Sequence, residues 1–264
     1  METILQGEGL EKGCNQLLEM MGNAAAVTDR SFAVPDGVNN GQYGVGIVID
    51  FFGLAGKYSG FPVDFVYPSM TSVVPANIAL IAGGKNPDEA KKFMAFSMST
   101  EGQQLLFDPK ISRLPILPYS QLKAPAGYPD PQEVAKRAKV QFDANLSEAR
   151  YQVVTSLFDQ MVTFRLKELQ GATKAIQDAE KALKAKPNAR GSDLVKQARA
   201  LAYTPLVGAE NVKNEQFLEL FRKSRRDVEV SKQLSGQEQL WANKARENYA
   251  RAQQLATEAR GLAK

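Results

Sequence analysis

Apolar positions follow two different spacings along this chain, and the change falls at a proline-rich stretch near residue 120. In residues 1–118, short runs of consecutive apolar residues alternate with stretches of helical spacing. Short runs rich in Val, Ile and Phe predict buried β-strands. Four strands are predicted in this way, at residues 24–28, 45–49, 63–67 and 73–81.

Helical spacing accounts for most of the remaining sequence. Helices are predicted at 9–21, 51–58 and 87–97, the last with Asn86 as its N-cap and Pro87 at its first position. Beyond the proline-rich stretch, one long helix is predicted from about residue 147 to 185. Others are predicted at 192–203, 214–234 and 237–262. Their narrow apolar stripes contain alanine, which favours helices packed closely as antiparallel hairpins.

These elements predict an α/β domain over residues 1–118, a Pro-rich connector at 119–131 and an all-α extension of antiparallel helices at 132–264. An apolar strand that ends in polar and aromatic residues is how an α/β domain presents a ligand site. The strand at 45–49 is followed directly by Asp50, Phe51 and Phe52. We therefore expect a ligand site at this point.

Composition narrows the chemistry that the chain could perform. It contains no histidine, which excludes a His base, a His metal ligand and a Ser-His-Asp triad. Cys14 is the only cysteine and lies in a predicted amphipathic helix, where a buried apolar role is favoured over a nucleophilic one. No base-and-nucleophile arrangement is visible, so an enzyme is not expected and a hydrolase fragment is disfavoured.

Charge is distributed unevenly along the sequence. Residues 1–120 carry 8 Lys and Arg against 12 Asp and Glu, whereas the rest carries 25 against 17. The basic half intersperses its charges, which favours a solvated helical surface over a nucleic-acid site. The run at 222–226 holds four basic residues, for which an acidic partner or an anionic membrane surface is the alternative. No stretch is apolar for long enough to insert into a membrane, and the N-terminus lacks the pattern of a signal peptide.

Three segments carry a resemblance to a known family: SFAVPDGVNNGQYGVGIVIDFFGLAGK, FPVDFVYP, and VVPANIALIAGGKNPDEAKKFMAFSMSTEGQQLLFDPKISRLPI. In order and spacing they resemble the second half of a bacterial periplasmic solute-binding protein of an ABC transporter. The branch that they resemble is that of ferric-ion-binding proteins and their relatives. The helical region is similar to an extension found in a subgroup that includes regulators of phosphoglycerate transport.

The resemblance implies a type II periplasmic-binding-protein fold, in which two α/β lobes close on a ligand. It also implies that the chain is truncated, with most of the first lobe and half of the ligand cleft missing. Ferric-binding relatives place two adjacent tyrosines where this chain has Phe51 and Phe52. Because phenylalanine has no donor atom, no metal site is expected there, and a small organic or phosphorylated anion is expected instead.

Six residues are predicted to bind this anion: Arg30, Ser31, Asp50, Phe51, Phe52 and Tyr67. Arg30 and Ser31 would hold it at a helix N-terminus, where Arg30 could bind a carboxylate or phosphate in bidentate fashion. The alternative is that Ser31 or Asp29 only caps the helix and that Arg30 is solvated.

The other predicted site residues also have alternative roles. Asp50 would accept hydrogen bonds from ligand hydroxyls or cap the following helix. Phe51, Phe52 and Tyr67 would wall the cleft or belong to the core.

The function expected from the resemblance is that of the substrate-binding component of an ABC import system, which captures a small anion without chemistry and needs no cofactor. Its protein partner would be the ABC permease, with no nucleic-acid partner and no membrane insertion. The resemblance implies a periplasmic location. The alternative is a periplasmic ligand sensor that passes its occupancy to a membrane signalling partner.

Overall fold

A computed structural model of the chain describes residues 1–223 and 225–263. The described residues form twelve α-helices, which are α1 (Glu2–Glu8), α2 (Leu10–Gly22), α3 (Ala33–Asn39), α4 (Asp50–Tyr58), α5 (Pro87–Ser97), α6 (Thr100–Gln104), α7 (Pro131–Arg137), α8 (Ala144–Met161), α9 (Leu166–Ala185), α10 (Ala189–Tyr203), α11 (Glu215–Arg222) and α12 (Val228–Leu262). The chain divides into two compact units. The first contains Met1–Val27 and the chain from Asp143 onward, and the second contains Thr28–Phe142.

The predicted α/β fold is wrong, because no β-strand is present among the described residues. The four segments predicted as strands are irregular and leave many apolar side chains in solvent; Val45 is 87% exposed and Ile81 80%. A strand is stable only when a neighbouring backbone pairs with its N–H and C=O groups. Within the described chain these segments find no such neighbour, so β-branched composition alone does not make them strands. The type II periplasmic-binding-protein fold is therefore not supported.

The first unit is a bundle of helices held together by small side chains. Its centre is formed by α9, α10 and α12, whose alanines pack without solvent exposure: Ala172, Ala179, Ala198, Ala202, Ala245, Ala252, Ala256 and Ala259. Small residues allow helix backbones to approach closely, as the alanine-containing stripes predicted. Asn188 precedes α10 and accepts a hydrogen bond from the Gly191 amide at 2.9 Å, which caps the helix.

The long helix predicted at 147–185 is two helices, because α8 ends at Met161 and α9 begins at Leu166. Two side chains take up the carbonyls that this break leaves without helical partners. Arg165 donates to the Gln160 carbonyl at 3.0 Å, and Tyr249 donates to the Met161 carbonyl at 2.8 Å. The break is therefore stabilised by one side chain from the break itself and by one from distant α12.

Helices α1 and α2 pack in the first unit, with Leu5 and Leu17 against Val154 of α8. Glu2 and Arg150 form a buried ion pair there, with an Arg150 Nη2 to Glu2 Oε2 distance of 2.8 Å. The boundaries of the compact units differ from those of the predicted domains. Residues before Thr28 belong to the same unit as α8 and the helices that follow it.

The second unit contains α3 to α7 around a smaller core. Leu54 of α4 is buried against Phe107 and Tyr128, and the Phe107 and Tyr128 rings meet edge to face at 5.0 Å. The helices predicted at 51–58 and 87–97 are present as α4 and α5. This core fixes α4 beside the irregular stretch that follows Phe107.

Candidate functional site

The first turn of α4 places Asp50, Phe51 and Phe52 at one edge of the second unit. Asp50 is the first helical residue, and its Oδ1 accepts a hydrogen bond from the Phe51 amide at 2.8 Å. Its other oxygen, Oδ2, accepts one from the Tyr67 hydroxyl at 3.0 Å. Burial, and then the nearby Asp50 carboxylate, raise the pKa of Tyr67 well above its usual range. Tyr67 therefore remains a neutral donor to Asp50.

An open groove lies beside this turn. It has a volume of about 400 Å³ and is lined by Phe51, Phe52 and Ala55 of α4 together with Lys110, Ile111 and Arg113. The two phenylalanine rings are tilted against each other, with their centroids 4.3 Å apart. The groove thus combines an aromatic pair from α4 with two cations from the segment after Phe107.

Arg113 lies directly against the aromatic pair. Its guanidinium carbon is 3.2 Å from the centroid of the Phe51 ring, and its Nη1 donates to the Ile111 carbonyl at 3.2 Å. A guanidinium over an aromatic face contributes about 0.5–1 kcal/mol where it is exposed. The Arg113 carbonyl in turn accepts a hydrogen bond from the Tyr128 hydroxyl at 3.3 Å, which ties the segment to the core.

A tight turn presents Lys110 and Arg113 on the same side. Asp108 closes it: its carbonyl accepts from the Ser112 amide at 2.8 Å, and its carboxylate accepts from the Lys110 amide at 2.8 Å. Ser112 is buried and has a φ of 49°, in the left-handed region that residues other than glycine rarely adopt. Its hydroxyl donates to the Pro109 carbonyl at 2.9 Å, which helps to hold this conformation.

Neither cation of the groove has a carboxylate partner. Throughout the part of the chain that the structure describes, no Asp or Glu oxygen forms an ion pair with the side chain of Lys110 or Arg113. Both side chains are exposed, so both can reach a ligand. Two unpaired cations on one open groove are an arrangement that binds an anion.

The structure brings together some of the six predicted site residues and separates others. Phe51 and Phe52 line the groove, and Asp50 and Tyr67 bind each other beside it. Arg30 and Ser31 are exposed and do not line it. They precede α3, whose N-cap position is Phe32 and whose N-terminus has no side-chain cap.

Sequence analysis missed Lys110 and Arg113, although both lie within a segment that carried the family resemblance. A usable signal was present. They are two basic residues three positions apart, between prolines, in the half of the chain that has an excess of acids.

The basic run at 222–226 carries less free charge than its composition indicates. Arg222 pairs with Glu215 at 2.8 Å, and Arg225 pairs with Glu238 at 2.7 Å. Ser224, within the same run, lies outside the described residues. The paired arginines make this run a weaker candidate for an anionic partner than the groove of the second unit.

Two further properties of the described residues concern metal binding and membrane insertion. The described residues contain no group of three or more His, Cys, Asp or Glu side chains placed to hold a metal ion. Among the described helices, none combines the length and the apolar character needed to cross a membrane.

Comparison with curated proteins finds two similar proteins. The chain is similar to the phosphoglycerate transport regulatory protein PgtC of Salmonella typhimurium and to PgtC of Salmonella typhi, and it is 31% identical to each over 185 residues. The match covers 70% of this chain and 45% of each relative, so the chain spans less than half the length of the relatives it matches. No protein-family model matches the chain, and no solved structure matches it.

This similarity is homology to PgtC, and it agrees with the predicted resemblance to regulators of phosphoglycerate transport. The wider resemblance, to solute-binding proteins of ABC transporters, stays a prediction.

Proposed function

We propose that this chain binds a small anionic solute in the groove between α4 and the turn at 108–113, as part of a transport system. The observation that carries this proposal is the pair of cations without carboxylate partners, Lys110 and Arg113, on an open groove of about 400 Å³. That volume lies toward the lower end of the range typical of small-molecule sites. The homology to a phosphoglycerate transport regulatory protein supports a role in transport.

Binding in this groove requires no chemical step. The side chains that line it include no carboxylate, hydroxyl or thiol that would act as an acid, base or nucleophile beside the two cations. We therefore propose a binding protein and not an enzyme, without a cofactor. The proposed location is the periplasm, and the proposed protein partner is the permease of the import system.

A second candidate function is regulation by sensing, which the word "regulatory" in the names of both relatives favours. In that role, occupancy of the groove would be reported to a membrane signalling protein instead of delivering cargo. Capture of membrane proteins by the full chain, with and without an added anion, separates the two functions. A permease as the anion-dependent partner supports transport, whereas a sensor kinase supports regulation.

The binding proposal itself is tested with two charge-removing variants. Calorimetric titration of the full chain with 3-phosphoglycerate and with inorganic phosphate should show saturable binding that weakens as ionic strength rises. An ion pair in an open groove contributes about 0.2–1 kcal/mol, and a charge-assisted hydrogen bond about 1.5–3 kcal/mol. We therefore expect Lys110→Gln and Arg113→Gln each to weaken binding about 3- to 10-fold.

Two other basic residues of the second unit provide a matched control and a test of the alternative site. Lys85→Gln removes another exposed charge, which does not line the groove, and should leave affinity unchanged. Arg30→Gln tests the other predicted anion site directly. A loss of binding with Arg30→Gln but not with Arg113→Gln would move the site to the start of α3 and refute the groove proposal.

A further inference from the structure

We infer that the groove selects an anion with an apolar, preferably aromatic, body over a hydroxylated anion of the same charge; this inference rests on the proposed function. The ligand class is an aryl phosphate or aryl carboxylate. The composition of the groove wall, the position of Asp50 outside the lining and the aromatic pair within it each support this choice.

The wall offers little to a hydroxylated ligand. Apart from the two cations, its lining side chains are those of Phe51, Phe52, Ala55 and Ile111. None of them supplies a hydroxyl, amide or carboxylate. A ligand hydroxyl that leaves water without finding a partner weakens binding. A ligand whose body carries hydroxyl groups therefore gains little from entering this groove.

Asp50, which directly precedes the aromatic pair in sequence, already has two hydrogen-bond partners. Both oxygens of Asp50 accept hydrogen bonds from within the chain, one from the Phe51 amide and one from the Tyr67 hydroxyl. Each carboxylate oxygen can accept a second hydrogen bond, but Asp50 is not among the residues that line the groove. The Arg113 Nη1 donates to the Ile111 carbonyl, which leaves the other donors of the guanidinium able to bind an anion.

The Phe51 and Phe52 rings, tilted by 42° against each other, form an aromatic surface that lines the groove. The Arg113 guanidinium covers one face of Phe51, and the Phe52 ring lies 4.3 Å from Phe51. A planar ligand can pack against the Phe52 ring. The anionic group would then lie beside Lys110. Because the groove is open, it covers only about half of a phenyl ring, and this partial burial predicts about a 10-fold gain in affinity.

The test compares two phosphate esters of equal charge. The full chain is titrated at constant ionic strength with phenyl phosphate and with glycerol 3-phosphate, and inorganic phosphate serves as the reference for the charged group alone. We expect phenyl phosphate to bind about 10-fold more tightly than glycerol 3-phosphate, which should bind no better than inorganic phosphate. The same comparison of benzoate with glycerate covers the carboxylate class.

Variants at Phe52 assign the preference to the groove. Phe52→Ala should reduce the preference for phenyl phosphate to less than about 3-fold and leave the affinity for inorganic phosphate unchanged. Phe52→Leu keeps the apolar volume, so a chain destabilised by the alanine has a folded substitute in which only the aromatic contribution is lost. Phe93→Ala removes a ring that is 63% exposed on α5, and it should change neither affinity.

The outcomes separate this inference from the function on which it rests. Equal or tighter binding of glycerol 3-phosphate overturns the inference and leaves anion binding intact. A preference for phenyl phosphate that survives both Phe52 variants also overturns it, because the selectivity would then arise elsewhere. If no anion of either kind binds, the proposed function is refuted and the inference with it.

Discussion

The buried ion pair between Glu2 and Arg150 gives a quantitative test of how the first unit is built. It joins α1 to α8, which are separated by more than a hundred residues of sequence. The guanidinium holds the carboxylate with two nitrogens, Nε at 3.0 Å and Nη2 at 2.8 Å. The Arg150 side chain is 7% exposed and that of Glu2 11%. Removal of one partner would therefore leave a charge that water can hardly reach.

Such a loss has a large and characteristic cost. Breaking a buried pair by removing one partner destabilises a protein by about 3–5 kcal/mol, whereas replacing both partners with apolar residues is often close to neutral. We expect Glu2→Gln, Glu2→Met and Arg150→Met each to lower the free energy of unfolding by about 3 kcal/mol. The double variant Glu2→Met with Arg150→Met should lose less than either single variant. The coupling between the two sites would then exceed about 2 kcal/mol.

The assay uses the single tryptophan of the chain. Trp241 is 4% exposed in the core of the first unit, so its fluorescence during urea denaturation reports the unfolding of that unit. The control is Glu247→Gln, which breaks an exposed pair with Lys244 on α12 and should cost less than about 0.5 kcal/mol. If Glu2→Gln costs no more than this control, α1 does not pack on α8 in solution and the grouping of residues 1–27 with the later helices is refuted.

Three further predictions concern half-buried or closely packed groups of the first unit. Burial raises the pKa of Cys14 to about 11, so alkylation by iodoacetamide at pH 8 should be on the order of 100-fold slower than alkylation of free cysteine. The rate should recover when the chain is unfolded in urea, and rapid reaction of the folded chain would contradict the burial. Gly22→Ala would place a Cβ in steric conflict with the Thr173 Oγ1, so we expect the free energy of unfolding in urea to fall by about 1–3 kcal/mol. An unchanged denaturation midpoint would contradict this close packing. Hydrogen bonding to Arg225 lowers the pKa of Glu238. The stabilisation by the Glu238 carboxylate is therefore present above the pKa of the unfolded chain and is lost as the pH falls through the pKa of the folded chain. Glu238→Gln should flatten the decrease in melting temperature between pH 6 and pH 3, and parallel curves for the two proteins would refute this linkage.

The helices of the first unit show what could be predicted from sequence. The helix predicted at 192–203 is present as α10, because its apolar spacing and the preceding Asn188 cap are local features. The predicted break before residue 237 was wrong, since α12 continues through Gly236 without interruption. One glycine in a helix costs about 1 kcal/mol, and burial of neighbours such as Leu234 outweighs that cost. Local signals located the helices, whereas tertiary contacts decided where they end.

The strand predictions failed for a related reason. Valine and isoleucine favour a pleated surface that is at least half buried, but the surface exists only when other strands complete it. Val45 and Ile47 alternate as a strand would, yet both are mostly exposed because the described chain supplies no pairing partner. Composition therefore indicated that these segments favour an extended conformation, but it could not show whether neighbouring strands would pair with them.

The groove combines residues that local sequence signals identify with residues that only tertiary packing brings together. Phe51 and Phe52 could be singled out from sequence because they follow an apolar run and open a helix. Lys110 and Arg113 lie more than fifty residues later, and only the packing of the second unit brings them to the same rings. Sequence thus identified the aromatic half of the groove and missed its cationic half.

The conformation of Ser112 connects the architecture of the groove with its proposed role. A residue other than glycine with a φ of 49° is held at a cost of roughly 1–3 kcal/mol, which the surrounding contacts must offset. Here the offsetting contacts are the hydrogen bonds of the Ser112 amide to Asp108 and of its hydroxyl to Pro109. The strained residue lies between the two residues that supply the positive charge, so the turn that it completes directs both cations to the groove. Because strain of this kind persists only where the structure over-determines it, its position supports a functional role for this turn.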